Sequence, residues 1–201
     1  MWFTQTTGNL LCHFDYYSTA IDCYDVPTPL SGPLGVFIAS DNAVWITEML
    51  ANKIGRFDPV AKTWKEFPIP VGGFNPTVMR VETADGKIWF TGFTTNSLNS
   101  IDMKTGEIVI HTSSVTSALS LPTENTLDSK GNIWFSTLSA NSLTFYTPST
   151  NKFTAIAQPG SINALGVSVL PRGEIGMHYD SGVNSIFFTN LLTNYIGRYQ
   201  L

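Results

Sequence analysis

Basic residues are scarce: 11 Lys plus Arg stand against 15 Asp plus Glu, for a formal net charge of −4. Charged residues make up 13 % of the 201-residue chain, about half of the roughly 25 % usual in globular proteins. Too little positive charge is left to neutralise a phosphate backbone, so no nucleic-acid partner is expected. Long hydrophobic runs are missing as well. The best, Leu34-Gly-Val-Phe-Ile-Ala39, falls far short of the roughly 20 apolar residues of a membrane-spanning helix, and no membrane partner is expected. The start, Met1-Trp-Phe-Thr4, has neither the basic nor the apolar region of a signal peptide. Cysteine is limited to Cys12 and Cys23, and no CxxC or similar metal-ligand spacing surrounds them; they form either one disulfide or two buried thiols. What the chain does have is 43 % hydrophobic and 12 % aromatic residues, enough for a packed core.

That core is repetitive. Trp2-Phe3-Thr4, Trp45-Ile46-Thr47, Trp89-Phe90-Thr91, Trp134-Phe135-Ser136 and Phe187-Phe188-Thr189 are separated by 43, 44, 45 and 53 residues. Seven residues after each anchor stands an asparagine: Asn9, Asn52, Asn96, Asn141 and Asn194. Short apolar-alternating runs follow, and two nearly coincide, Asn52-Lys-Ile-Gly-Arg-Phe57 and Asn194-Tyr-Ile-Gly-Arg-Tyr199. Within each period, β-branched and aromatic residues alternate with polar ones between Gly, Pro, Asn and Asp clusters, which marks strands. Four short strands in about 44 residues is the period of a propeller blade. The fold class predicted is therefore all-β, a β-propeller of four-stranded antiparallel blades. The aromatic anchor should fill the space between blades, and the Asn should cap the turn between second and third strands through its own backbone.

Laid over the chain, this unit predicts one propeller domain across residues 1–201. It comprises a partial first blade at about 1–26, complete blades at 34–69, 76–112 and 120–157, and a partial blade at 163–201 with an insertion at 171–183. About 4.5 blades is either a segment of a larger ring, such as a seven-bladed one, or an irregular five-bladed ring. An open arc would expose apolar blade faces, which makes self-association an expectation.

The phrase Asn42-Ala-Val-Trp-Ile-Thr-Glu-Met-Leu-Ala-Asn-Lys-Ile-Gly-Arg-Phe-Asp-Pro59, with Lys65-Glu-Phe-Pro-Ile-Pro70, resembles the blade motif of the streptogramin (virginiamycin B) lyase family. Lys87-Ile-Trp-Phe-Thr91 and Asn132-Ile-Trp-Phe-Ser136 repeat it more loosely. The resemblance implies a seven-bladed propeller and, in the true lyases, a magnesium-dependent elimination that opens a cyclic depsipeptide, with a histidine as general base. It also implies a protein secreted in a full-length form. In that family a His-Gly-Ile opens an innermost strand, a Glu can precede the His by two residues, and the Glu of a Trp-Phe-x-Glu motif follows fourteen residues later. Glu48 matches this last Glu and is the candidate magnesium ligand. Leu34 stands where the His would be and Gly32 where the earlier Glu would be, and the fifth period offers Leu165-Gly-Val167. At the position of Glu48 the other copies carry Gln5, Gly92, Thr137 and Asn190, so no complete catalytic constellation is visible.

Three functions compete: a degenerate lyase-like enzyme, a non-catalytic propeller that binds a small molecule, glycan or peptide, and a gluconolactonase-like calcium enzyme. The last would need Glu48, Asn75, Asn125 and Asn163 to converge on one cation. Gln5 and Asn190 are further binding candidates at the strand-end position. His178, within Pro171-Arg-Gly-Glu-Ile-Gly-Met-His-Tyr-Asp-Ser-Gly182, is expected on a loop projecting from the face opposite Glu48. His13 and His111 are expected to be surface or packing residues of outer strands.

Overall fold

A computed structural model describes residues 1–116, 120–139, 142–157, 173–191 and 194–201. Among them the secondary structure is all strand, in five antiparallel sheets. The first holds β1 (Trp2–Gln5), β2 (Leu10–Phe14) and β3 (Ile21–Asp25). The second holds β4 (Pro33–Ile38), β5 (Val44–Glu48), β6 (Lys53–Asp58) and β7 (Thr63–Pro68). Next come β8 (Pro76–Thr83), β9 (Lys87–Gly92), β10 (Ser97–Asp102) and β11 (Ile108–Thr112). The fourth sheet is β12 (Pro122–Leu127), β13 (Ile133–Thr137), β14 (Ser142–Thr147) and β15 (Lys152–Ala157). The fifth is β16 (Glu174–Asp180), β17 (Ser185–Asn190) and β18 (Tyr195–Gln200). Each sheet is a sequential meander, and β4, β8, β12 and β16 lie side by side, so the sheets are blades of a β-propeller arranged around their first strands. No helix of the described residues is long and apolar enough to cross a membrane.

The core lies between blades rather than inside them. Trp45 and Ile54 of the second blade pack with Met79, Ile88, Phe90 and Ile101 of the third. Val81, Trp89 and Leu98 of the third meet Ile133, Phe135 and Tyr146 of the fourth, and Trp134 and Leu143 meet Met177, Ile186 and Phe188 of the fifth. Period-2 alternation supplies both faces of every blade: Val44 and Ile46 turn back to Leu11 and Val26, while Trp45 turns forward.

The repeated asparagines adopt left-handed backbone, φ 56° at Asn9, 55° at Asn52, 50° at Asn96 and 53° at Asn194, a conformation Asn tolerates well. The side chains of Asn9, Asn52 and Asn96 do not close on their own turn, as the sequence suggested. The Nδ2 of Asn9 donates to Val26 and Thr28 carbonyls, that of Asn52 to Ile69, and that of Asn96 to Ser113 and Thr116. Each amide thus ties its turn to the strand-four exit that leads to the next blade. Asn141 lies outside the described residues.

The last blade corrects a second expectation. The run 171–183, read as an insertion, supplies the innermost strand itself: β16 pairs with β17 from Glu174↔Asn190 to Asp180↔Ser185. Glycines at 173, 176 and 182 gave this stretch a loop-like composition, and Leu165-Gly-Val167 imitated Leu34-Gly-Val36. Packing settles the matter, because Met177 and Tyr179 alternate into the core against Trp134. Cys12 and Cys23 face each other across β2 and β3 and are joined as a disulfide.

Candidate functional site

In the second and third blades the hydroxyl two residues after the aromatic anchor holds a bulge in the innermost strand and reaches for the next blade. Gly35 N–H donates to Thr47 Oγ1 at 2.7 Å, and Thr47 donates to the Thr77 carbonyl at 2.6 Å. Gly35 must be glycine, since a Cβ there would stand 2.4 Å from that carbonyl. Thr91 repeats the arrangement, accepting from Val78 N–H and donating to Thr123 O, and Thr4 donates to Leu34 O. In the fourth blade Ser136 accepts from Glu124 N–H and pairs with the Thr123 hydroxyl, which donates to Glu174 O. These latches fix the height of the innermost strands relative to one another. The end of each second strand, where Gln5, Glu48, Gly92, Thr137 and Asn190 stand, therefore lies on one common face with the start of the innermost strands.

Glu48 is on that face but not open to it. It is 0 % exposed and turns between the first and second blades, as Ile46 does two residues earlier on the same strand. Its Oε1 lies over Gly55, where a Cβ would come within 2.8 Å, and neither carboxylate oxygen has a hydrogen-bond partner among the described residues. Lys53 is spent elsewhere, on Glu66 at 2.8 Å and Thr28 Oγ1 at 2.6 Å. Burial, reinforced by the charge on Glu66, pushes the Glu48 carboxyl up from 4.5 to about 7, with Lys53 offsetting only part. The same face carries Gln5, which is exposed.

The other named residues do not gather around Glu48. Asn75, at φ 55°, donates to Met49 O and accepts from Thr94 Oγ1. Asn125 is 1 % exposed and donates to Val78 O and Trp89 O while its Oδ1 accepts from Arg80 N–H. Both amides are consumed in joining blades. Asn163 lies outside the described residues. Among the described residues no three His, Cys, Asp or Glu side chains cluster to hold a metal.

The fifth blade holds what sequence reasoning had misplaced. Gly176 stands fourteen residues before Asn190 and Glu174 two before Gly176. Glu174 is fully buried and Asn190 is 4 % exposed; they face each other in the β16–β17 register, and neither amide atom of Asn190 has a partner among the described residues. The signal that would have found them is spacing. The same cross-strand pair in the other blades is Pro33↔Glu48, Pro76↔Gly92 and Pro122↔Thr137.

Between the innermost strands runs a groove of about 1340 Å³, lined by residues of β4, β8, β12 and β16 together with Trp2 and Ile196. Its walls are mainly apolar, through Val36, Ile38, Val81, Leu127 and Ile175. Arg80 and Glu124 meet across the third and fourth blades at 2.8 Å; burial pushes the Glu124 carboxyl up and Arg80 draws it back. His178 lies in this groove, exposed on β16 rather than on a projecting loop.

A family model of virginiamycin B lyases matches residues 1–198. The chain belongs to the virginiamycin B lyase family. It is similar to virginiamycin B lyase from Staphylococcus aureus, with 25 % identity and a TM-score of 0.78 over 100 % of this chain and 66 % of that protein. A streptogramin B lyase matches with 26 % identity and a TM-score of 0.78, over 100 % of this chain and 64 % of that one. A catalytically inactive Staphylococcus aureus virginiamycin B lyase, solved with quinupristin, shares the fold at 22 % identity, TM-score 0.78, over 99 % and 65 %. The chain thus spans just under two thirds of the length of these lyases.

Proposed function

We propose that these blades form a ligand-binding part of a virginiamycin B lyase-family propeller, taking a small cyclic or peptide-like molecule in the central groove, and that elimination does not run on the residues they supply. The observation that carries this reading is the pairing of a groove of about 1340 Å³ with the side chains at the family's His position. There the four blades with an innermost strand have Leu34, Val78, Thr123 and Gly176, none of which can remove a proton. An apolar groove with few polar groups suits such a ligand. Arg80 and Glu124 would orient it, with His178 on the adjacent strand.

Magnesium, which the family resemblance implies, would polarise the ester of a bound depsipeptide. Glu48 does not fit that role, because its oxygens are sealed between blades. Glu174 and Asn190 would offer magnesium one carboxylate and one amide oxygen on facing strands, but Glu174 is as fully buried as Glu48, so this pair fits the ion no better.

The test is to titrate quinupristin into the protein with and without magnesium, following tryptophan fluorescence and separating products by chromatography, since ring-opening by elimination leaves the mass unchanged. Saturable binding with no ring-opened product is expected, weakened at least fivefold in Arg80→Ala. Ring-opened product from purified protein would overturn the non-catalytic part, and absence of binding at millimolar ligand would overturn the groove assignment.

A further inference from the structure

His111, on the outermost strand of the third blade, closes the junction to the fourth. Its ring lies 5.1 Å from that of Trp89, nearly parallel, and 4.8 Å from that of Tyr146. The Tyr146 hydroxyl donates to Asn151 Oδ1 at 2.8 Å, so toward His111 Nδ1, 3.1 Å away, it acts as acceptor. Nδ1 therefore carries the ring proton, and Nε2 is left to accept from Ser100 Oγ at 3.4 Å. With the imidazole neutral, Ser100, His111, Tyr146 and Asn151 form one donor-to-acceptor chain.

We propose that this junction is an acid-sensitive joint of the propeller: protonation of His111 loosens the third blade from the fourth and, through them, the groove wall they share. The proton arrives at Nε2, which turns from acceptor to donor, so the Ser100 hydroxyl must rotate to accept from it, and its own hydrogen gives up the imidazole as partner at a site where Ser100 is 2 % exposed. No carboxylate among the described residues contacts the ring. The elements around it contribute Trp89 and Lys87 from β9, Ser100 from β10, Tyr146 from β14, and Asn151 and Lys152 beside the β14–β15 turn. Lys87 opposes a second positive charge, and the acids Asp102 and Glu107 act on Lys87 itself. Burial is the larger influence, and both hold the His111 imidazole below its ordinary range. Solvent protons reach the ring through a rim cleft of about 650 Å³ lined by His111, Tyr146, Asn151, Lys152 and Phe153.

The coupling to the groove is direct. Trp89, which stacks on His111, gives its backbone carbonyl to Asn125 Nδ2, and Arg80 and Glu124 span the same two blades on the groove side. Opening at the rim therefore strains the Arg80–Glu124 pair, and the joint does not depend on the proposed binding role.

The experiment is a histidine NMR titration of the whole chain from pH 7.5 to 4.5, with amide exchange of β9 and β14 corrected for the intrinsic pH dependence. His111 is expected to start as the Nδ1–H tautomer and to titrate below 6.5. Protection at Trp89 and Tyr146 should fall at least tenfold between pH 7 and pH 5, whereas His111→Phe, which keeps the stack and cannot titrate, should hold its protection. Titration at or above 6.5, or equal loss of protection in His111→Phe, would overturn the proposal. Should that variant fail to fold, the tautomer and titration of the unaltered protein decide alone.

Discussion

Replacing Glu48 by Gln tests whether a buried, unpaired carboxyl weakens this fold at neutral pH. Native Glu48 holds its proton up to about 7, against 4.5 for the same group in water. Below 4.5 both folded and unfolded chains carry the proton and no cost arises. As pH rises from 4.5 to about 7 the unfolded chain releases it first, so native stability falls, and above about 7 the loss is complete. The gap between the two values corresponds to about 3 kcal/mol. Glu48→Gln has nearly the same shape and no charge at any pH, so it escapes this loss. Urea unfolding followed by tryptophan fluorescence should show the variant gaining about 3 kcal/mol on the wild type between pH 4.5 and pH 8. Other titrating groups cancel in that difference. A gap that stays constant with pH, or one that favours the wild type at pH 8, would refute the burial argument.

Thr91→Val removes a hydroxyl that bonds Thr123 O at 2.6 Å and Val78 N–H at 3.3 Å; it should cost about 2 kcal/mol by urea midpoint, with Thr91→Ser close to wild type. Equal midpoints for Val and Ser would show that the hydroxyl is dispensable. Cys23→Ser opens a cross-link between residues 11 apart in sequence and should cost about 3 kcal/mol without reductant. Adding dithiothreitol should bring the two proteins together, and a difference that persists would place the effect elsewhere.

The blade pattern was legible because each blade must present an aromatic anchor forward and aliphatic residues backward. That requirement writes an aromatic anchor, a Thr or Ser two residues after it and an Asn seven residues after it into the chain each time. What the pattern does not encode is the partner of a polar side chain. Nothing local distinguishes an Asn that closes its own turn from one that reaches seventeen residues on to Val26 or Ile69. Glu48 looked like a surface ligand because a carboxylate at a strand end is usually solvated; only the assembled first blade seals it. Glu174 was hidden by glycines that suggest a loop when read singly. His111 gave no signal, since its meaning lies in Tyr146, which belongs to the next blade.

The bulge-and-hydroxyl latch has one more consequence, for how such a chain can change length. A slip of one residue in a second strand would carry its hydroxyl to the opposite face and push the aromatic anchor out of the junction, so the second strand does not tolerate an added residue, whereas the innermost β8 takes one up in a second bulge between Met79 and Val81. Most growth therefore falls between strands. The chain obeys this where its spacing departs from 44: between Ala157 and Glu174 it runs longer than between Pro68 and Pro76, while the strands on either side keep their register. Variation in this propeller is thereby channelled out of the second strands and into the sequence between strands, most of all into the run between Ala157 and Glu174.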